Sequence, residues 1–271
     1  MARRRRKSSG GSSVAAVLGI LGLVVFIGAA IAVFTLLRLK AGEATQLDAD
    51  LCPVDGPRSV TAVLLDVTDP ISDITKIDLK RQFQKAVAEV EPGGLIEVYA
   101  LTSEEGKLKK TFAGCNPGDG EHADVWTTNP KKIQERWRKG FDDPLKEVER
   151  GIGEDTAATS SPIMAGIQRI VIESLNSLAS EGKSKTLYVA SDMIEHTSSF
   201  SIYKSGADYG KFANSAAQDR FRTPLDGIAV QFLVFQRDTN KPIAELPEFW
   251  GTWVVANGGE VTGYKRLTGI E

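Results

Sequence analysis

Apolar and polar positions fall into blocks whose period changes along the chain. Val14 to Leu37 is 24 residues without a charge, and at about 1.5 Å per residue it can cross a hydrocarbon core of roughly 30 Å. This stretch predicts a transmembrane helix. Val60-Thr61-Ala62-Val63-Leu64-Leu65 is a β-branched and leucine-rich run that stops at Asp66-Val67-Thr68-Asp69-Pro70. A strand buried on both faces behaves so when its last residues leave the sheet. Ser72 then caps a helix whose apolar positions, Ile74, Ile77, Phe83, Ala86, Val87 and Val90, recur at roughly helical spacing until Pro92-Gly93-Gly94 stops it. Leu95 to Leu101 is a second strand, and the order strand, helix, strand implies a parallel pair joined by a right-handed crossover.

Glu104-Glu105-Gly106 marks a tight turn, and Lys107 to Phe112 follows as an antiparallel edge strand whose lysines oppose further pairing. Asn129-Pro130 and Asp143-Pro144 each set a capping residue before a proline at a first helical position, with Ile133, Trp137, Phe141, Leu145 and Val148 as the inner stripe. Ile163, Ile167, Ile170, Val171, Leu175 and Leu178 mark a long amphipathic helix. Thr186 to Asp192 and Ile228 to Phe235 are strands, separated by a long polar connection with one helix around Tyr209 to Phe221. A helix with Phe249, Trp250, Trp253 and Val254 inside, and a strand from Glu260 to Leu267, close the series. The alternation predicts an α/β fold: a doubly wound, mostly parallel sheet with one antiparallel edge strand, preceded by one transmembrane helix. The expected divisions are a basic tail at 1–13, the helix at 14–37, a linker at 38–57 and one domain at 58–271.

Charge adds orientation to this picture. The formal net charge of −2 hides an asymmetry, because residues 1–40 hold seven basic residues and no acidic one, leaving 26 basic against 35 acidic residues beyond. An acidic globular part argues against nucleic acid as a partner, since phosphate backbones need a basic surface. Five basic residues precede the apolar stretch and two follow it. The positive-inside rule then puts the N-terminus in the cytoplasm and the domain outside, in the periplasm if the source is Gram-negative. Cys52 and Cys115 would lie in an oxidising compartment. If the edge strand runs antiparallel, Cys115 returns to the rim where the first strand starts, just after Cys52, so a disulfide is expected. It would close a loop of 64 residues, counting both cysteines, worth about 4 kcal/mol.

The candidate chemistry sits where the first strand ends. Asp66 and Thr68 are two residues apart on an extended backbone and so share a side, giving a hard oxygen pair suited to Mg²⁺, Mn²⁺ or Ca²⁺. Here the chain resembles the von Willebrand factor A family, whose first strand ends in a D-x-S-x-S metal-ion-dependent adhesion site. Asp66 and Thr68 fit the first two positions, and Pro70 stands at the third. The family's second segment, a Thr two residues before an apolar helix, is matched by Ser161 in Ser161-Pro162-Ile163. Its third, Thr-Asp-Gly, is matched by Ser191-Asp192-Met193. The resemblance implies a divalent cation, Mg²⁺ or Mn²⁺, held by Asp66, Thr68, Ser161 and Asp192, with Asp192 direct or through water.

Together with the apolar helix, that resemblance implies a membrane-anchored, non-enzymatic module that binds a protein partner, either through the cation or, with Pro70 at a ligand position, without an ion. Two alternatives stand beside it. One is a metal-assisted phosphohydrolase using Asp66 and Asp192, against which no Gly-rich phosphate loop, G-x-S-x-G elbow or His-acid pairing is found. The other is a structural subunit of an envelope complex, in which Gly19, Gly22 and Gly28 would let the membrane helix pack closely.

Overall fold

The computed structural model describes residues 12–42, 46–66, 68, 70–121, 128–152, 159–236 and 244–269. They form two compact units, residues 1–45 with 123–130 and residues 46–122 with 131–271. The first unit holds helix α1 (Ser12–Gly42), and its window Ala16–Leu36 is long and apolar enough to cross a membrane. Its valines, leucines, isoleucines and phenylalanines are exposed around the circumference. A helix apolar on every side suits lipid rather than water.

The second unit is built on a six-stranded sheet in the order β3-β2-β1-β4-β5-β6. The strands are β1 (Ser59–Asp66), β2 (Leu95–Leu101), β3 (Leu108–Cys115), β4 (Ser184–Ser191), β5 (Ile228–Phe235) and β6 (Glu260–Leu267). All neighbours pair in parallel except β2 and β3. Helix α2 (Asp73–Ala88) links β1 to β2. Helices α3 (Pro130–Trp137), α4 (Asp143–Gly151) and α5 (Ile163–Ile170) lie between β3 and β4, α6 (Ile202–Ser205), α7 (Tyr209–Ala213) and α8 (Ala216–Arg220) between β4 and β5, and α9 (Leu246–Ala256) between β5 and β6.

The two-residue period of the strands divides the core. Val60, Ala62 and Leu64 face α5 and α9, in a cluster with Ile163, Ile167, Trp250 and Trp253. Val63 and Leu65 face the other way, toward Leu79 and Phe83 of α2, Leu145 of α4 and Phe141 just before it. The sheet is therefore covered on both sides, as its apolar strands require. Helix α5 comes close to it through Gly166, where an added Cβ would lie 2.8 Å from Leu101 Cδ1 and 3.4 Å from Leu64 Cδ2. Gly166→Val is expected to destabilise the domain by about 1–3 kcal/mol through overpacking, read as a lower midpoint in denaturant unfolding.

The expected disulfide is present. Cys52 and Cys115 are bonded with a Cα–Cα distance of 4.7 Å, 63 positions apart in sequence. Around them the segment from Gln46 folds back on the amino rim of the sheet: the Asp48 carboxylate accepts from the N–H groups of Asp50 and Cys52, and the Cys115 N–H donates to the Asp50 carbonyl.

Several local expectations are corrected. Ile74 and Ile77 are 59% and 62% exposed rather than part of the apolar face of α2. Thr75, Asp78 and Leu79 are buried in their place, on the way to Phe83 and Ala86. Asp143-Pro144 does not open a new helix. A widened π turn, Arg138–Asp142, joins α3 to α4 without a break. Such a turn redirects the backbone ladder ahead of Pro144, whose ring an unbroken α-helix would not tolerate. The helix from Ile163 likewise passes into a π turn, Val171–Leu175, and Leu178 is left 91% exposed in a 3₁₀ turn. The connection between β4 and β5 carries three short helices instead of one. Of the edge-strand lysines, Lys110 turns to the buried Glu97, its Nζ 2.6 Å from Oε1, rather than guarding the edge.

Candidate functional site

The register of the sheet sets which side chains meet at its carboxyl rim. Leu65 pairs with Ala190, so Asp66 and Ser191 stand at neighbouring positions one step further on, at the last residues of β1 and β4. Asp66 continues the Val60, Ala62, Leu64 series, which faces α5. Ser161 reaches the same corner because it forms an isolated antiparallel bridge with His196, exchanging backbone bonds of 3.0 and 2.9 Å, immediately before α5 begins.

The outcome is a carboxylate surrounded by hydroxyl donors. The Thr68 hydroxyl and N–H donate to Asp66 Oδ1 at 2.5 and 3.1 Å. The Ser191 and Ser161 hydroxyls donate to Asp66 Oδ2 at 2.7 and 3.1 Å. Asp66, Thr68, Ser161, Ser191 and Asp192 are all buried. Hydrogen bonds to a buried carboxylate are among the stronger ones, each worth about 1.5–3 kcal/mol. Asp192 follows Ser191 directly, and its Oδ1 accepts from the Ile194 N–H at 2.9 Å, so it shapes the turn after β4 as well as standing at the rim.

That turn is strained. Met193 has φ +63° and is fully buried, its N–H donates to Ser191 Oγ at 2.9 Å, and its carbonyl accepts from the Trp250 indole at 2.8 Å. A left-handed backbone costs a non-glycine residue on the order of 1–2 kcal/mol. The family motif places glycine at this position. The chain keeps the glycine-like backbone while carrying a methionine, held in place by the indole and by core contacts.

Two residues escape a reading by motif. The motif gives the ligand role to Asp192, whereas the parallel register sets its neighbour Ser191 beside Asp66. Glu195 is fully buried beneath the rim. Its Oε2 accepts from the Met164 N–H at 2.9 Å, supplying to α5 the cap that Pro162 cannot. Its Oε1 has no hydrogen-bond partner. Burial pushes the Glu195 carboxyl up to about 8, with the charges of Glu105 and Asp66 acting in the same direction and the Met164 and Ile163 N–H groups opposing. At neutral pH it is mostly a neutral acid. His196 is turned to Ser201, 2.9 Å from its Nδ1, and to the Tyr203 ring.

Of the four residues expected to hold a cation, Thr68 and Ser161 are each hydrogen-bonded to Asp66, while Asp192 follows Ser191 in the chain and accepts from the Ile194 N–H. The donor set suits a hard divalent cation. Each hydroxyl spends its proton on Asp66, which leaves oxygen lone pairs on Thr68, Ser161 and Ser191 beside that carboxylate, one of those on Ser191 accepting from the Met193 N–H. Among the described residues no group of three or more His, Cys, Asp and Glu side chains that could hold a metal ion is found, at this rim or elsewhere.

Strand order, a single antiparallel edge at β3 and an Asp-x-Thr turn at the end of the central strand β1 now stand together. The fold is von Willebrand factor A-like. No family model and no curated protein matches the sequence. Among solved structures, this domain is similar to an aerotolerance-related membrane protein from Bacteroides fragilis NCTC 9343 carrying multiple mutations to serines. That match has 14% identity and a TM-score of 0.37, and covers 77% of this chain and 90% of the other. The conserved hypothetical protein BatB from Bacteroides thetaiotaomicron matches at 14% identity over 77% and 89% of the two chains, with a TM-score of 0.37. A von Willebrand factor type A protein from Catenulispora acidiphila matches at 13% identity over 78% and 39%, with a TM-score of 0.43. The von Willebrand factor A-like assignment rests on the topology and register, not on these scores.

Proposed function

We propose that the protein is a membrane-anchored, non-enzymatic binding module that captures a protein partner at the carboxyl rim of its sheet. The observation that carries this reading is the meeting of Asp66, Thr68, Ser161 and Ser191, drawn from three distant segments, within hydrogen-bond distance of one buried carboxylate. Mg²⁺ or Mn²⁺ held by Asp66, Thr68, Ser161 and Asp192, with Ser191 as a further oxygen, would supply a positive centre open to an acidic side chain of the partner. The residues themselves do the positioning: β1 and β4 fix Asp66 and Ser191, the Ser161–His196 bridge fixes the third segment, and Glu195 anchors the start of α5.

Helix α1 anchors the module, and the basic cluster Arg3 to Lys7 ahead of it supports a cytoplasmic N-terminus with the domain outside. The Cys52–Cys115 bridge supports the same compartment. Site-specific photocrosslinking of the full chain in its own membranes tests the reading. A crosslinker at Ile74, exposed near the rim, is expected to trap a protein in a manner lost on adding EDTA. Adducts formed only from Leu23 in α1, with none from Ile74, would favour a structural subunit held by its anchor.

A further inference from the structure

A second concave site lies at the opposite end of the sheet. It is a cleft of about 560 Å³ between the C-terminal half of α2 and the α3–α4 segment, bordered by Asn116 just past β3. Its size is that of small-molecule sites, which enclose about 300–1,000 Å³. Phe83, Val87, Trp137, Phe141 and Leu145 form its walls and floor. Three of these five are aromatic, and aromatic faces carry the negative side of the ring quadrupole.

The charged lining is predominantly acidic. Glu91, Asp119, Asp142 and Glu149 face a single cation, Lys146. Lys146 Nζ lies 2.7 Å from Asp142, which pairs those two charges off. Both Glu149 oxygens accept from the neutral Gln84 Nε2 at 3.0 Å, and Glu149 adds to the negative field around Lys146. Asp119 Oδ1 accepts from the Glu121 N–H at 3.1 Å, again a neutral donor. Of the other cations of the α3–α4 segment, Arg138 pairs with Asp143, Lys139 with Glu135 and Arg150 with Glu147, while Lys131, Lys132 and Arg136 belong to α3 and are not among the residues that line the cleft. Beyond residue 40 the chain carries 35 acidic against 26 basic residues, a balance that steers cations toward the domain and anions away.

We propose that this cleft is a binding site for a small organic cation, an amine or quaternary ammonium on an apolar body. The body packs among Phe83, Trp137 and Phe141, and the charged head lies against these ring faces and toward Glu149 and Asp119. The site is separate from the rim at Asp66, and its occupancy needs no metal.

Calorimetric titration of the full chain in a maltoside detergent, in EDTA and blanked against empty micelles, tests this with benzyltrimethylammonium as the probe. Saturable one-to-one binding is expected. Its neutral isostere (2,2-dimethylpropyl)benzene should bind at least tenfold more weakly, and benzenesulfonate should give no signal. The double variant Asp119→Asn, Glu149→Gln, whose changes lie at the cleft border and keep the hydrogen-bonding shape, should weaken the probe at least tenfold while melting within a few degrees of the parent. Trp137→Leu should do the same. The proposal is overturned by a flat titration, by equal affinity for the neutral isostere, or by undiminished binding in the double variant. It is equally overturned if a capped Lys-Trp-Lys peptide binds where the small cation does not, since the cleft would then be a protein-docking groove.

Discussion

Replacing Cys52 and Cys115 together with alanine is expected to lower the unfolding free energy by about 4 kcal/mol, the largest loss foreseen for any substitution outside the packed core. The bridge spans 63 positions, so in the loop-entropy account its removal restores a great deal of freedom to the unfolded chain. In the folded state it also pins the segment around Asp48 to Asp50 against the end of β3, where the Cys115 N–H meets the Asp50 carbonyl. Denaturant unfolding of the double variant beside the parent, without reductant, checks the value. Adding a thiol reductant should bring the parent down to the level of the variant. If the two proteins unfold at the same midpoint, the linker segment contributes nothing that the bridge is needed to hold.

A second large effect concerns pH. Glu195 has its carboxyl raised to about 8 against an ordinary value of 4.5. Below pH 4.5 the group is protonated in both the folded and the unfolded chain, and it makes no demand. Between about 4.5 and about 8 the unfolded chain releases the proton while the folded one keeps it. Stability therefore falls as pH rises across that window, by up to about 1.4 kcal/mol per pH unit, and levels off above it. In Glu195→Gln the amide oxygen still accepts from the Met164 N–H while the titration is gone. The variant should match the parent near pH 4.5 and exceed it by roughly 3–5 kcal/mol at pH 8.5 in EDTA. Parallel pH profiles for the two proteins would show that the carboxyl titrates normally.

Most of the sheet was legible because buried parallel strands leave uninterrupted apolar runs, as in β1, β4 and β5, and because turn residues such as Pro92-Gly93-Gly94 bound them. The cysteine pairing followed from strand direction, a property of topology that two residues far apart can reveal. What escaped has a physical reason in each case. Ile74 and Ile77 look like core by spacing, but α2 buries Thr75 and Asp78 at that end instead. The π turns before Pro144 and after Ile170 leave no mark in a hydrophobic pattern read at a period of 3.6. Ser191 was overlooked because a motif assigns roles by residue type, whereas the register assigns them by position, and the position beside Asp66 is that of Ser191. Glu195 gave no signal at all: an acid following Asp192-Met193-Ile194 reads as solvated until its burial beneath α5 is seen.

The claim on which the functional reading stands is that the oxygens gathered around Asp66 hold a divalent cation. The direct measurement is calorimetry and thermal unfolding of the EDTA-stripped full chain in maltoside, titrated with Mg²⁺ and with Mn²⁺, beside Asp66→Ala and Ser161→Ala. The parent should show saturable heat and a stability gain approaching about 2.7 kcal/mol at a hundredfold excess over Kd, with the response lost in Asp66→Ala and weakened in Ser161→Ala. Equal and negligible heats from all three proteins, with unchanged melting, would contradict it.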